Sequence, residues 1–358
     1  MKLLILFVWL CYSQTVLSVD SILVPPIMLP AAISDGIGLA DTHPDQSPDV
    51  AGTRLPNAQH SSVLHMNAEH LQTLRSRALL VIYPHSSIGL LQLIQALQDT
   101  LTQYTVTAVN LQQQFGADDA AKVYQPAEVV TLGYQATRHA LTTYSDQTRI
   151  YSLLVSLDEA ARLQQTYPTT RLHSIVMNQP LSRQREIISQ LLPNTRKLCL
   201  IQTSSPGLII ENQHPVIMTR EAIQQEFALS DIEVEFATVS EIQTVSAAVK
   251  QLAIDNQALL ALPDKHIYNN NNVISLLLAS YENRLPIIGF SRAFIEAGAV
   301  LAVHTLPSMY ARQLEALLLA TDKPLLSYPA DYTVTVNQHM ARTLGMTINT
   351  QQIVSSTH

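Results

Sequence analysis

The sequence predicts an α/β fold with parallel sheets, divided into two lobes, on three observations. From Arg77 onward, short Val/Ile/Leu runs alternate with segments whose apolar residues recur at helical spacing, the pattern of strands buried on both faces of a parallel sheet. The series restarts after Met177. A chain of 358 residues, 47% of them apolar, supplies two cores on the usual scale of about 150 residues per domain.

The first segment, MKLLILFVWLCYSQTVLS, sets Lys2 ahead of an apolar run that closes on Val16-Leu17-Ser18, where a signal peptidase would cut. As a membrane span the run is too short and loses its apolarity at Ser13-Gln14. A cleavable signal peptide over residues 1–18 is therefore expected, with export to the periplasm. Bulky Trp9 and Leu10 precede Cys11, where a lipoprotein signal needs small residues, so a lipid anchor is not expected. Cleavage would leave Cys199, inside the apolar KLCLIQ run, as a lone buried thiol with no internal disulfide to form. Loss of Lys2 would leave 20 basic against 28 acidic residues, a net charge of -8 that gives nucleic acid no reason to bind.

Residues 19–76 are rich in Pro, Ser, Asp, Asn and His and hold no sustained period, as expected of a mobile linker or leader. His60, His65 and His70 recur every five residues, which turns about 140° per step on a helix and gathers no metal-binding face.

The regular elements then follow in order. ALLVIY (Ala78 to Tyr83) reads as a strand, and the next helix places Leu90, Ile94, Leu97 and Leu101 on one face. TVTAVN, AEVVTLG, RIYSLLVS and LHSIVM continue the strands. Ser156 with Glu159, and Ser240 with Gln243, have the spacing of capping boxes that open helices. Past Met177 come a helix with Pro180 in its first turn, KLCLIQ, a helix near Thr219 to Phe227, IEVEFA, the Ser240 helix and ALLALPD. The helix VISLLLASYEN, the strand ending at Gly289, a helix with Pro307 in its first turn and YTVTVNQHMARTLG complete the series.

Ligands of open parallel sheets sit beyond the carboxyl ends of the strands. Those ends carry Tyr83-Pro84-His85-Ser86-Ser87, Gly133-Tyr134-Gln135, Gln202-Thr203-Ser204-Ser205, Pro263-Asp264 and Phe290-Ser291. The set holds one carboxylate, one His and no Cys, which suits hydrogen bonding to a small solute better than acid-base chemistry; helix caps and turns account for such residues too. Asn269, in the run Asn269 to Asn272, either caps the helix that follows or reaches a ligand. Arg183 and Arg185 flank the lobe boundary as a solvated helix face or as a hinge or partner contact.

Gly289-Phe290-Ser291-Arg292-Ala293 is similar to a G-x-S-x-G turn, and Asp331 and His339 follow in hydrolase order, so a serine hydrolase using Ser291 is the alternative. Against it, the last Gly is Ala293 and Asp331 lies only eight residues from His339. No phosphate-binding G-x-x-x-x-G-K-[ST] and no G-x-G-x-x-G occurs.

VVTLGYQATRHAL, NQPLSRQREIISQLLP, the stretch from Ala258 to Val303 and VTVNQHMARTLGM together resemble the substrate-binding proteins of ABC transporters, in the family that includes tryptophan- and tyrosine-type binders. The resemblance implies a type I periplasmic-binding fold: two Rossmann-like lobes joined by three crossovers, closing on a solute. It also implies an ABC permease in the inner membrane as partner, a monomer, and no catalysis, cofactor or metal. A sensory or interaction protein on the same fold is a further possibility. Ser86, Ser87, Gly133 and Gln135 would face the solute from the first lobe and Asp264, Asn269 and Ser291 from the second, with Tyr83 or Phe290 stacking on a ring. Asp264 would pair with the ammonium group of an amino-acid ligand.

The lobes would then comprise residues 77–177 with 298–325, and 178–297 with 326–352. The transfer at Gly298 rests on spacing, since nine residues between IIG and AVLAVHT fall short of the dozen or so that a crossover within one sheet usually takes.

Overall fold

The computed structural model describes residues 78–114, 126–169, 171–203, 219–239, 244–269 and 271–348. The expected signal peptide at 1–18, the leader at 19–76, Ser204-Ser205 and the Ser240 to Gln243 capping box lie outside these residues.

In the first lobe β1 (Ala78–Tyr83), α1 (Ile88–Thr100), β2 (Thr105–Asn110), α2 (Leu111–Gln114), β3 (Glu128–Leu132), α3 (Tyr134–Thr143), β4 (Arg149–Val155), α4 (Leu157–Thr166) and β5 (Leu172–Val176) alternate. The second begins with α5 (Leu181–Leu191), β6 (Lys197–Thr203), α6 (Arg220–Ala228), β7 (Glu233–Val239), α7 (Val245–Leu252) and β8 (Ala258–Leu260). It continues through α8 (Val273–Glu282), β9 (Ile287–Gly289), α9 (Arg292–Glu296) and β10 (Leu301–His304). The chain ends with α10 (Pro307–Leu319), β11 (Leu326–Ser327), β12 (Thr333–Val336) and α11 (Gln338–Thr343). All of these elements fall within one compact unit.

Two six-stranded sheets result, ordered β11-β5-β4-β3-β1-β2 and β12-β10-β9-β8-β6-β7. Their first five strands repeat one doubly wound order, so the strand order reverses between β1 and β3 and again between β6 and β8. Every strand pair is parallel except β10 with β12. Each sheet carries an apolar core on both faces. Leu93, Ile94 and Leu97 of α1 pack with Tyr310, Leu314 and Leu318 of α10 over one face of the first sheet, and Ile82, Val129, Ala140 and Leu163 fill the other. Each fully buried Leu or Ile contributes about 1.5–3 kcal/mol, so the Val/Ile/Leu runs that marked the strands also hold them in place. Cys199 is wholly buried in a core of the second sheet.

The helix signals took the expected form where they are described. Ser156 Oγ accepts from Glu159 N (3.2 Å) and Glu159 Oε2 accepts from Ser156 N (3.1 Å), closing the capping box of α4. Thr219 caps α6 and Pro307 opens α10.

The strand memberships near the C-terminus differ from the expectation. β10 lies in the second sheet, parallel to β9 with Leu301 opposite Ile288, rather than leading into the first lobe from Gly298. β11 pairs with β5 in the first sheet instead of belonging to the second lobe. The short link, residues 290–300, succeeds because α9 has only five residues and ends in a Schellman motif. Gly298 N donates to Ile295 O (3.1 Å) and Ala299 N to Phe294 O (2.8 Å), with Gly298 at φ +114°. The chain therefore crosses between lobes after β5, after β10 and after β11.

Those three crossings are tied side by side. Gln179 Nε2 donates to Thr305 Oγ1 (3.0 Å), which donates to the carbonyl of Asp331 (3.0 Å). Arg183 donates to Gln179 Oε1 (2.6 Å) and to the carbonyls of Pro329 (2.9 Å) and Ala330 (3.2 Å), while its guanidinium lies 4.4 Å from the Tyr332 ring centre. Arg183 thus ties the first crossing to the third. Arg185 instead pairs with Glu226 (2.8 Å) and donates to Ser230 Oγ (3.0 Å) within the second lobe.

Candidate functional site

The carboxyl ends of the two sheets face a common cavity of about 500 Å³. That is ample for a small organic solute. The first lobe lines it with Pro84 and His85 after β1, Tyr134, Gln135 and Arg138 on α3, Leu154 and Ser156 at the end of β4, Glu159 on α4, and Met177 after β5. The second lobe contributes Pro263, Asp264, Lys265 and Tyr268 after β8, and Phe290 after β9.

Backbone irregularity brings Leu154 into this lining. The β4–β5 register shifts between Leu153 and Val155, a bulge that leaves Leu154 at φ +58°. An L-residue in that region carries strain of order 1–3 kcal/mol, sustained by the paired strands on either side. Gly133, at φ +84°, turns the chain from β3 into α3 and donates to Leu153 O (2.8 Å). Tyr134 and Arg138, four residues apart, then share the helix face that meets the cavity.

The charged groups meet across the lobes. Lys265 Nζ lies 2.8 Å from Glu159 Oε1 and 4.1 Å from the Tyr134 ring centre. Asp264 Oδ1 accepts from His266 N (2.8 Å), and its Oδ2 receives a long bond from Thr203 Oγ1 (3.5 Å). Burial raises the Asp158 carboxyl above its ordinary range; Arg162 pulls it down, while Asp264 and Glu159 push it further up. Tyr268 packs edge-on against Phe290 and Phe294, with centroids 5.7 and 5.6 Å away. Its hydroxyl is buried without a hydrogen-bond partner, and that burial, with Asp264 and Cys199 nearby, pushes its pKa well above the ordinary tyrosine value.

Pro84, His85, Tyr134 and Pro263 of the strand-end set line the cavity, and of the nine residues expected to face the solute, Gln135, Asp264 and Phe290 do. The other six do not, and most have local work. Tyr83 packs against the core of the first sheet. Ser86 Oγ accepts from Asn110 Nδ2 (3.2 Å), and Ser87 Oγ accepts from Leu90 N (3.4 Å) as the cap of α1. Gly133 serves the turn described above. Asn269 Oδ1 accepts from the amides of Asn271 and Asn272, while its Nδ2 donates to the carbonyls of Lys265 and His266, which folds the turn ahead of α8; the N-cap position of that helix is Asn272. Ser291 occupies the N-cap position of α9 with no side-chain cap bond.

Arg138, Leu154, Glu159, Met177, Lys265 and Tyr268 escaped the sequence reading as site residues. Only Arg138 left a usable signal, one helical turn beyond the strand-end residue Tyr134. The hydrolase trio is not joined: Asp331 gives its carboxylate to Arg312 (3.0 Å), and no hydrogen bond links Ser291, Asp331 and His339 among the described residues.

The sequence model of the family described as ABC transporter substrate binding protein matches residues 166–309. Over that segment the chain is similar to the ABC transporter substrate-binding family. The match holds β5 to β10, and with them Pro263 to Tyr268 and Phe290 of the cavity.

Solved structures extend the likeness to the rest of the fold. A conserved domain protein from Vibrio cholerae is 17% identical with a TM-score of 0.55, covering 77% of this chain and 97% of its own. An ABC domain in complex with L-Trp from Streptococcus pneumonia is 16% identical with a TM-score of 0.54, covering 76% and 96%. The ligand-free, open structure of a substrate-binding protein with adhesive properties from Clostridium difficile is 13% identical with a TM-score of 0.54, covering 78% and 98%. No curated protein matches the sequence. The fold is the two-lobed type I periplasmic-binding architecture, and family and fold together support a solute-binding role. Among the described residues no helix is long and apolar enough to cross a membrane.

Proposed function

We propose that this protein is the exported solute-binding component of an ABC-type importer, holding a small organic acid or amino acid between its lobes without transforming it. The observation that carries this reading is the cavity itself, to which the strand ends of both lobes contribute. A solute that touches Gln135 on one lobe and Phe290 on the other favours the closed arrangement over the open one, because only the closed form offers both contacts. An ABC permease in the inner membrane would then read that closure. The signal peptide at residues 1–18 would deliver a monomer to the periplasm. Phe290 supplies an apolar wall for the solute.

A thermal-shift screen of amino acids, nucleobases and small organic acids tests the proposal. A cleft ligand at 100 times its Kd adds about 2.7 kcal/mol, several degrees of midpoint. Gln135→Ala and Phe290→Ala should each weaken the hit about tenfold or more while the free protein stays folded. Absence of any stabilising solute, or a hit whose affinity neither substitution alters, would rule out this cleft as the binding site.

A further inference from the structure

The charged groups of the cleft are unequally committed. We infer that the cleft selects a carboxylate with an apolar body and no ammonium group, and that Arg138 is its anion receptor; the inference rests on the solute-binding reading above and narrows its ligand class.

Both carboxylates lining the cavity are occupied from within the chain. Glu159 holds the Lys265 ammonium at 2.8 Å on one oxygen and the Ser156 amide at 3.1 Å on the other. Asp264 receives the His266 amide and the Thr203 hydroxyl. Asp158, nearby, has Arg162 opposing its charge. A carboxylate beside an aromatic face is what recognises a ligand's ammonium group. Here Glu159 and Tyr134 form that pair, and Lys265 fills it from the opposite lobe. A ligand amine would have to displace a cation tethered beside its own site, which acts as a competitor at high effective concentration.

Arg138 is in the opposite condition. It lines the cavity, and among the described residues its guanidinium makes neither an ion pair nor a hydrogen bond. Five N–H donors in a planar fork match the two oxygens of a carboxylate. A second group also lacks a partner, since the buried Tyr268 hydroxyl has none. Leu154, Met177 and Phe290 offer walls suited to an apolar body.

The test uses two matched series on the full chain, read by titration calorimetry. One is 3-phenylpropanoate, L-phenylalanine and 2-phenylethylamine; the other is 4-methylpentanoate, L-leucine and 3-methylbutylamine. One of the acids should bind at least about tenfold more tightly than its amino acid, and neither amine should bind measurably. Arg138→Gln should weaken that acid about tenfold or more without lowering the melting temperature of the free protein. Lys265→Met should empty the ammonium place and narrow the preference for acid over amino acid about tenfold, a change of selectivity that mere loosening of the fold would not produce. An amino acid or amine that binds wild type as tightly as its acid, or an acid indifferent to Arg138→Gln, would overturn the inference and leave the cleft as the binding site. Failure of both acids to bind wild type would overturn the inference alone; the solute-binding reading falls only if the wider thermal-shift screen is empty as well.

Discussion

Gly289 shows how much one residue can be asked to do. A Cβ built there would lie 2.7 Å from Cγ of Phe294 and closer still to its Cβ, so the strand must end on glycine for α9 to fold back over it. Phe294 in turn closes the aromatic cluster with Tyr268 and Phe290. Gly289→Ala should destabilise the protein by about 1–3 kcal/mol through overpacking, measured by urea melts, and Phe294→Leu in the same chain should restore none of the loss, because leucine keeps the Cβ and Cγ that the new methyl meets. An unchanged midpoint for Gly289→Ala would show that the helix shifts freely. The sequence marked Gly289-Phe290-Ser291 as a cleft lip, and Phe290 does line the cavity. What residue types could not reveal was direction: Ser87 turns its hydroxyl to a helix start and Asn269 its amide to the turn ahead of α8, while Arg138 and Lys265 reach the cavity.

At the scale of elements, nearly every described strand and helix was legible, because apolar runs and their spacing report burial directly. Sheet membership was not. The expected transfer at Gly298 followed from the usual length of a crossover, and the five-residue α9 with its Schellman ending makes a shorter one possible. Gly298 at φ +114°, with Met340 Cε 3.4 Å from where a Cβ would stand, is the residue on which this device depends. Gly298→Ala should cost about 1–2 kcal/mol, and Gly298→Val more, since a branched side chain tolerates positive φ least. Thermal melts of the two variants check the order; equal stability of Val, Ala and wild type would contradict the motif's role.

For the whole molecule, the crossings form the feature that no single element contains. Arg183 ties two of them through Gln179 and the carbonyls of Pro329 and Ala330. Arg183→Leu should cost about 1–3 kcal/mol and broaden the distribution of lobe arrangements, seen as a change in small-angle scattering of the free protein. Arg183→Lys should not rescue it, because an ammonium lacks the planar fork. Stability should also fall in acid. Burial lowers the pKa values of His139, His173 and His304 below the ordinary 6.5; Lys323 and Arg149 add to the effect at His173 against its bond to Pro324 O, and Arg292 adds to it at His304. Below about pH 6.5 the unfolded chain binds protons that the native state refuses, so this stability is complete above that value. It is lost as the pH falls through the lowered native values. His173→Gln with His304→Gln should flatten the acid limb of a stability-against-pH curve, and an unaltered slope would assign that limb to other groups.

The sequence by itself determined the α/β class, the strand ends that line the cavity, and the place of Gln135, Asp264 and Phe290 at those ends. Periodicity encodes burial, and burial in a parallel sheet fixes where strands stop. Only the tertiary structure decided which sheet receives β10 and β11, that Arg183 ties the first crossing to the third, and that Lys265 reaches across to Glu159 and Tyr134 while Arg138 stays uncommitted. Those outcomes depend on side-chain direction and on contacts between residues distant in sequence, and a one-dimensional pattern of residue types carries neither.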